Sequence, residues 1–288
     1  MKNYGSQSMV APLRRVLVRR PDAAFAVQDP ARWHYTGRPD LALAQAQHDA
    51  LVAVLERAGA EVIEHPEPQP GRADAIFVHD PALVCDAGAV ILRMGKALRR
   101  GEEEAIARRF VEAGVPIHYT LHGEAMAEGG DLLWLDHDTL AAGLGFRTNA
   151  EGVRQLQEAL GPLGVTVIPV PLPCYLGAEA CLHLQSLISL VDEKVALVYA
   201  PLMPVPFWQL LQERGFRLLD LPEEEFPTMG CNVLALAPNK CLALEGNPRT
   251  RRLLEDAGCE VATYPGSEIS YKAEGGPTCL TRPVWRYS

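Results

Sequence analysis

Of the seven cysteines, at positions 85, 174, 181, 231, 241, 259 and 279, one is placed for chemistry. Cys279 follows Gly275-Gly-Pro-Thr278. A thiol directly after a conformationally unusual turn is a common way to expose a nucleophile, while a structural cysteine is more often simply buried. His183, within Cys181-Leu-His-Leu-Gln-Ser186, reads either as an acid-base group or as a core histidine in an apolar strand. Glu128-Gly-Gly-Asp131 places two acids around paired glycines; such glycines let a backbone approach a ligand closely, or simply make a tight turn. Asp74 and Asp80 flank a strand-like stretch, and their even separation predicts one shared face. They read as a ligand site or as a surface pair. Arg147, in Gly145-Phe-Arg-Thr-Asn149, could clamp a carboxylate with its planar fork or be a surface charge.

These residues must be positioned by elements that alternate along the whole chain. Strands are predicted at 15–19, 61–64, 75–78 and 89–92, with helices at 41–58 and 101–113. The pattern continues with strands at 131–135, 139–142 and 165–171 around a helix at 150–160, for which Asn149 is the expected cap. Strands at 184–190, 195–199 and 217–221 enclose a helix at 207–214. A last set has strands at 233–236, 241–244 and 260–264 and a helix at 249–257. Five strand-strand-helix-strand units with a period of about 50 residues predict a repetitive α/β array, since no such unit buries its own apolar face. An open doubly wound sheet would have one helix per strand. No linker or low-complexity tract divides the chain, so residues 1–288 are expected to form one domain.

Bulk composition sets the partner. The chain has 288 residues, 48% apolar and 22% charged, with a formal net charge of −9. That charge disfavours nucleic acid, whose phosphates need a basic surface, and suits a cationic small molecule. Neither a signal peptide nor a membrane-spanning run is visible, which makes the cytoplasm the expected compartment. Without a Cys-x-x-Cys pair a metal centre is not expected, and a metal-dependent hydrolase, which would need a tight cluster of histidines and carboxylates, is disfavoured. The oligomeric state is not legible, a homodimer being one assembly open to the chain.

The motifs taken in order resemble the guanidino-group-modifying superfamily, or pentein fold, over nearly the whole chain from Gly37-Arg-Pro-Asp40 to Cys279. Within it the chain is most similar to the dimethylarginine dimethylaminohydrolase family. Phe77-Val-His-Asp-Pro81 matches that family's Phe-Val-acid-Asp-Pro, and Arg99-Arg-Gly-Glu102 its helix entry. Arg147-Thr-Asn-Ala-Glu-Gly152 and Leu182-His-Leu-Gln-Ser186 match its Arg-Thr-Asn-x-x-Gly and Leu-His-Leu-Lys-Ser/Thr, and Asn247-Pro-Arg-Thr250 its Tyr-Pro-Arg-Thr.

The resemblance implies a five-fold pseudosymmetric α/β propeller of ββαβ units around a central site. It also implies a cofactor-free hydrolase of guanidino C–N bonds: Nω-methylated arginine to citrulline plus methylamine or dimethylamine, through a thiouronium on Cys279. By the same resemblance His183 is acid and base, and Glu128 holds the guanidinium and orients His183. Asp80 contacts the guanidinium and Asp74 the α-ammonium, while Arg99 and Arg147 take the α-carboxylate. His79 stands where the family usually has an acid, on the side of the substituted nitrogens. Gln185 stands where arginine deiminases and amidinotransferases usually have aspartate, which disfavours the alternative, an arginine deiminase or dihydrolase-type enzyme acting on unmethylated arginine or another guanidino acid. A non-enzymatic binding protein on this fold would not need Glu128, His183 and Cys279.

Overall fold

The computed structural model describes residues 2–178 and 180–286. Within them the strands form five three-stranded sheets. β3 (Ala82–Cys85), β4 (Gly88–Ile91), α2 (Glu102–Glu112) and β5 (Ile117–Thr120) make one unit, and β6 (Leu132–Asp136), β7 (Thr139–Leu144), α3 (Ala150–Leu160) and β8 (Thr166–Pro171) the next. β9 (Ile188–Asp192), β10 (Val195–Val198), α4 (Val205–Glu213) and β11 (Arg217–Asp220) form another. β12 (Leu234–Ala237), β13 (Lys240–Leu244), α5 (Pro248–Asp256) and β14 (Glu260–Tyr264) follow. In each, an antiparallel hairpin leads through a helix to a third strand parallel to the second. A parallel pair requires such a crossover, so the helix is a topological consequence of the third strand.

The remaining sheet draws on both ends of the chain. β1 (Leu13–Val18) leads through α1 (Leu41–Arg57) to the parallel β2 (Glu61–Glu64). Its antiparallel partner is β15 (Arg282–Arg286), the last described strand. The expected array of α/β units is therefore present as five three-stranded sheets, the pattern that the pentein resemblance implies, with one sheet completed by the last described strand. β9 packs beside β12, and β15 beside β3. Every residue of β3 and β4 is buried, as befits strands covered on both faces.

Local signals placed the helices well. The Asn149 side chain accepts hydrogen bonds from Gly152 N at 2.8 Å and Met126 N at 3.0 Å, capping α3 as expected. Asp40 does the same for α1 through Leu43 N. Two strand expectations fail. Residues 75–78 are not a strand: Ala73–Ile76 is a 3₁₀ turn, so strand alternation does not relate Asp74 to Asp80. Residues 184–186 are also a 3₁₀ turn, and β9 begins only at Ile188. Both stretches are apolar because they are buried, and an apolar run alone does not distinguish a strand from a buried turn. β3, β5 and β15 lie outside the expected strands.

Candidate active site

The chemistry-bearing residues occupy corresponding places in the repeat. Asp80, Glu128, His183 and Cys279 each lie a few residues before the first strand of their sheets, β3, β6, β9 and β15. Asn232 holds the same place before β12. Loops after the second strands of two sheets add Lys96 and Arg99, beyond β4, and Arg147, beyond β7. The repeat thus delivers side chains distant in sequence to one cavity of about 60 Å³. It is lined by Asp74, Asp80, Lys96, Arg147, His183 and Cys279, with Trp33, Phe77, Arg99, Cys181 and Glu274 among the others.

Glu128 is fully buried, at 0% exposure, behind this lining. Its Oε2 lies 2.7 Å from His183 Nε2 and its Oε1 accepts Lys96 N at 2.9 Å. Burial pushes its pKa up, but the hydrogen bond and charge of His183, with the charge of Arg147, leave it below the ordinary value. His183 moves the opposite way. Burial lowers its pKa, yet its neighbours Cys181, Asp131 and Asp80 hold it well above the usual histidine range. The pair is therefore a carboxylate and an imidazolium. Cys181 Sγ lies 3.6 Å from His183 Nδ1. Asp131 stands behind them, accepting the Thr148 hydroxyl at 2.6 Å and Leu184 N at 3.0 Å. Burial raises its pKa to about 6.

Cys279 accepts a hydrogen bond from Asn232 Nδ2 at 3.2 Å, and Asn232 Oδ1 in turn accepts Thr278 N. Burial and the charge of Asp80 push the thiol up to about 11 despite the opposing charge of His183. The preceding glycines are demanded by space. A Cβ on Gly275 would lie 2.1 Å from the Phe77 ring, and one on Gly130 2.3 Å from His183 Nδ1. Glu274, just ahead, holds a left-handed φ of 57°, a costly conformation that places the segment tightly.

Asp80 accepts Gly130 N at 3.0 Å and pairs with Arg99 Nη1 at 2.5 Å. Although burial opposes ionisation, Arg99 and His183 hold its carboxyl well below the usual range. The Arg99 fork is spent. Its Nε and Nη2 bind Glu102, and Nη2 also donates to Phe77 O, so of the two arginines expected at a carboxylate Arg147 has the freer fork. That residue makes one long bond, 3.4 Å, to Glu128. Asp74, expected to meet an ammonium, already holds Lys96 Nζ at 2.6 Å and the Tyr35 hydroxyl at 2.8 Å.

His79 corrects an expectation. It is not part of the cavity lining. Its Nδ1 lies 2.9 Å from Thr281 O and its Nε2 3.1 Å from Gln185 Nε2. Burial, reinforced by the charge of Arg282, keeps it neutral, so Nδ1–H donates to the carbonyl and Nε2 accepts from the amide. Gln185 Nε2 also lies 3.1 Å from Gly129 O and 2.7 Å from Leu132 O, so its two hydrogens are shared among three acceptors. The two positions that depart from the family motifs therefore touch each other, as a neutral pair behind the site.

Sequence reasoning missed Lys96, Asn232 and Asp131's proximity to His183. The register of the repeat carried the signal for Asn232, two residues before β12 as Asp80 is two before β3. Asp80, Glu128 and His183 also bring ligand-type atoms within 4.8 Å of one another. With His183 protonated and bonded to Glu128, that cluster suits an organic cation better than a metal.

Comparison with known proteins agrees with this geometry. A model of the eukaryotic N,N-dimethylarginine dimethylhydrolase family matches residues 33–286. The N(G),N(G)-dimethylarginine dimethylaminohydrolase of Streptomyces coelicolor is 32% identical over 94% of this chain and 96% of its own. That of Pseudomonas aeruginosa is 29% identical over 93% of this chain and 98% of its own. A solved structure of the Pseudomonas enzyme, a cysteine-to-serine mutant complexed with citrulline, superposes with a TM-score of 0.79 at 25% identity, covering 96% of this chain and all of that one. With the family model spanning most of its length and a relative of this identity covering nearly all of it, the chain belongs to the dimethylarginine dimethylaminohydrolase family.

Proposed function

We propose that the protein hydrolyses the C–N bond of an Nω-methylated arginine, giving citrulline and methylamine or dimethylamine. The observation that carries this reading is the buried Glu128–His183 ion pair, 2.7 Å apart, beside a cavity that Asp80 and the Cys279 thiol also line. A guanidinium is a poor electrophile, and hydrolysing it calls for a thiolate, a proton donor for the departing amine and anions to hold the cation.

With its pKa near 11, Cys279 is a neutral thiol in the free protein at neutral pH. A substrate guanidinium held by Asp80, with the Glu128 charge behind the lining, lies against the thiol and favours its ionisation, the thiol proton passing to solvent as the substrate binds, since an opposite charge stabilises the thiolate. The thiolate adds to the guanidinium carbon. Collapse of the tetrahedral carbon breaks the C–N bond, and the His183 imidazolium gives its proton to the leaving amine. The resulting S-alkylthiouronium is attacked by water, which loses its proton to His183; the C–S bond breaks, and ureido product and Cys279 are released. Glu128 supports both halves by holding the imidazole in place. Arg147 binds the substrate carboxylate.

An arginine-type deiminase is the competing reading within the fold, and Gln185 disfavours it because its amide is taken up by His79, Gly129 and Leu132. Among the described residues no helix is long and apolar enough to cross a membrane. A cytoplasmic, single-domain enzyme, for which a homodimer is one open assembly, is part of the same proposal, the free cysteines being in keeping with that compartment. The test is a substrate panel of arginine, monomethylarginine and asymmetric dimethylarginine with the released amine identified. Methylamine and dimethylamine release, lost in Cys279→Ser, is expected. Ammonia release from arginine as the dominant reaction, or full turnover by Cys279→Ser, would overturn the reading.

A further inference from the structure

One strong contact of the cavity has no part in the reaction above. The buried Asp74 carboxylate accepts the Tyr35 hydroxyl on one oxygen, at 2.8 Å, and holds Lys96 Nζ on the other, at 2.6 Å. Lys96 Nζ also donates to Trp33 O at 3.3 Å and lies 5.3 Å from the centre of the Trp33 ring. The backbone N of Lys96 is fixed to Glu128 Oε1, so the residue is tethered to the same carboxylate that orients His183. Its side chain is 14% exposed and lines the cavity.

We infer that Lys96 is a specificity residue: it fills the ammonium place at Asp74 with a cation of this chain and turns that end of the cavity into a carboxylate site. The site then accepts ω-guanidino carboxylates lacking an α-amino group at least as well as the corresponding amino acids. This rests on the guanidino-hydrolase reading and narrows its substrate class.

The charges support it. A substrate ammonium approaching Asp74 meets the Lys96 ammonium across one carboxylate, where like charges repel in a poorly solvated place. A substrate carboxylate finds the reverse. An ammonium has three donors and Lys96 spends two, on Asp74 and Trp33, leaving one for the substrate. Arg147 supplies the second cation, having only a 3.4 Å bond to Glu128 to give up. Arg99 cannot serve, because its fork is committed to Asp80, Glu102 and Phe77 O. The alternative is that Lys96 is a placeholder that swings aside when an α-ammonium arrives.

The experiment compares kcat/KM for Nω-methyl-L-arginine and its des-amino analogue, 5-(Nω-methylguanidino)pentanoate, by methylamine release, in the wild-type protein and in Lys96→Met. The wild type is expected to use the two within about threefold of each other, or to favour the des-amino acid. In Lys96→Met the ratio moves toward the amino acid by at least about tenfold, chiefly through KM. A wild-type preference for the amino acid above about tenfold, or an unchanged ratio in the variant, overturns the inference. The wild-type ratio decides the matter even if the variant folds poorly. Absence of methylamine release from both compounds sinks the hydrolase reading itself, which separates the two failures.

Discussion

Replacing Glu128 by glutamine removes a charge while keeping the shape of the side chain. Its Oε2 stands 2.7 Å from His183 Nε2, and no part of the residue reaches solvent. For two unit charges centred about 4 Å apart at an effective dielectric constant of about 20, the interaction is about 4 kcal/mol. If that stabilisation of the imidazolium is lost when the amine must be protonated, the rate falls by about three orders of magnitude. The sign of the pH effect follows as well. His183 is held above the usual histidine range, so it keeps its proton until the pH rises through that elevated value. Without the carboxylate it deprotonates at lower pH, and the alkaline limb of the kcat/KM profile moves down. The assay is steady-state amine release from pH 5 to 10, with single-turnover trapping of the adduct by mass spectrometry to isolate the first half-reaction. An E128Q variant within about tenfold of wild type, with its alkaline limb unmoved, would refute the role given to this pair.

Three further outcomes are expected. His79→Glu alone buries a carboxylate beside a glutamine and should destabilise by about 3–5 kcal/mol in denaturant titration, whereas His79→Glu with Gln185→Lys should recover most of it, since the two side chains touch at 3.1 Å; additive losses would disprove the pairing. Asp131, raised by burial to about 6, binds its proton more tightly folded than unfolded, where its pKa is about 3.9. Stability from this group is therefore lost as pH rises from about 4 through 6, by about 3 kcal/mol, so Asp131→Asn should gain on wild type over that window, and parallel stability-pH curves would be the contrary result. Gly275→Ala forces a Cβ against the Phe77 ring; it should cost about 1–3 kcal/mol in thermal or urea unfolding and displace Cys279, so an active variant of wild-type stability would show that the turn has room.

The sequence by itself determined the repeat and which residues are candidates for the reacting groups. Alternation of short apolar runs with amphipathic helices is a local property, and the helix caps at Asp40 and Asn149 read directly from residue types because a cap is satisfied within three residues. The order Glu128, His183, Cys279 was legible for the same reason: each lies in a short motif with its own turn chemistry. What tertiary structure decided was partnership and direction. Strand alternation gave Asp74 and Asp80 a shared face, yet they line one cavity with Asp74 inside a 3₁₀ turn and no strand between them. Nothing local says that His79 turns to Gln185, 106 positions away, or that Arg99 spends its fork inside the protein. The charge on Asp74 was visible, but its satisfaction by Lys96 was not. Local spacing sets which side chains are available, whereas burial and long-range pairing, acting between units brought together only by the fold, set which of them remain free to meet a substrate.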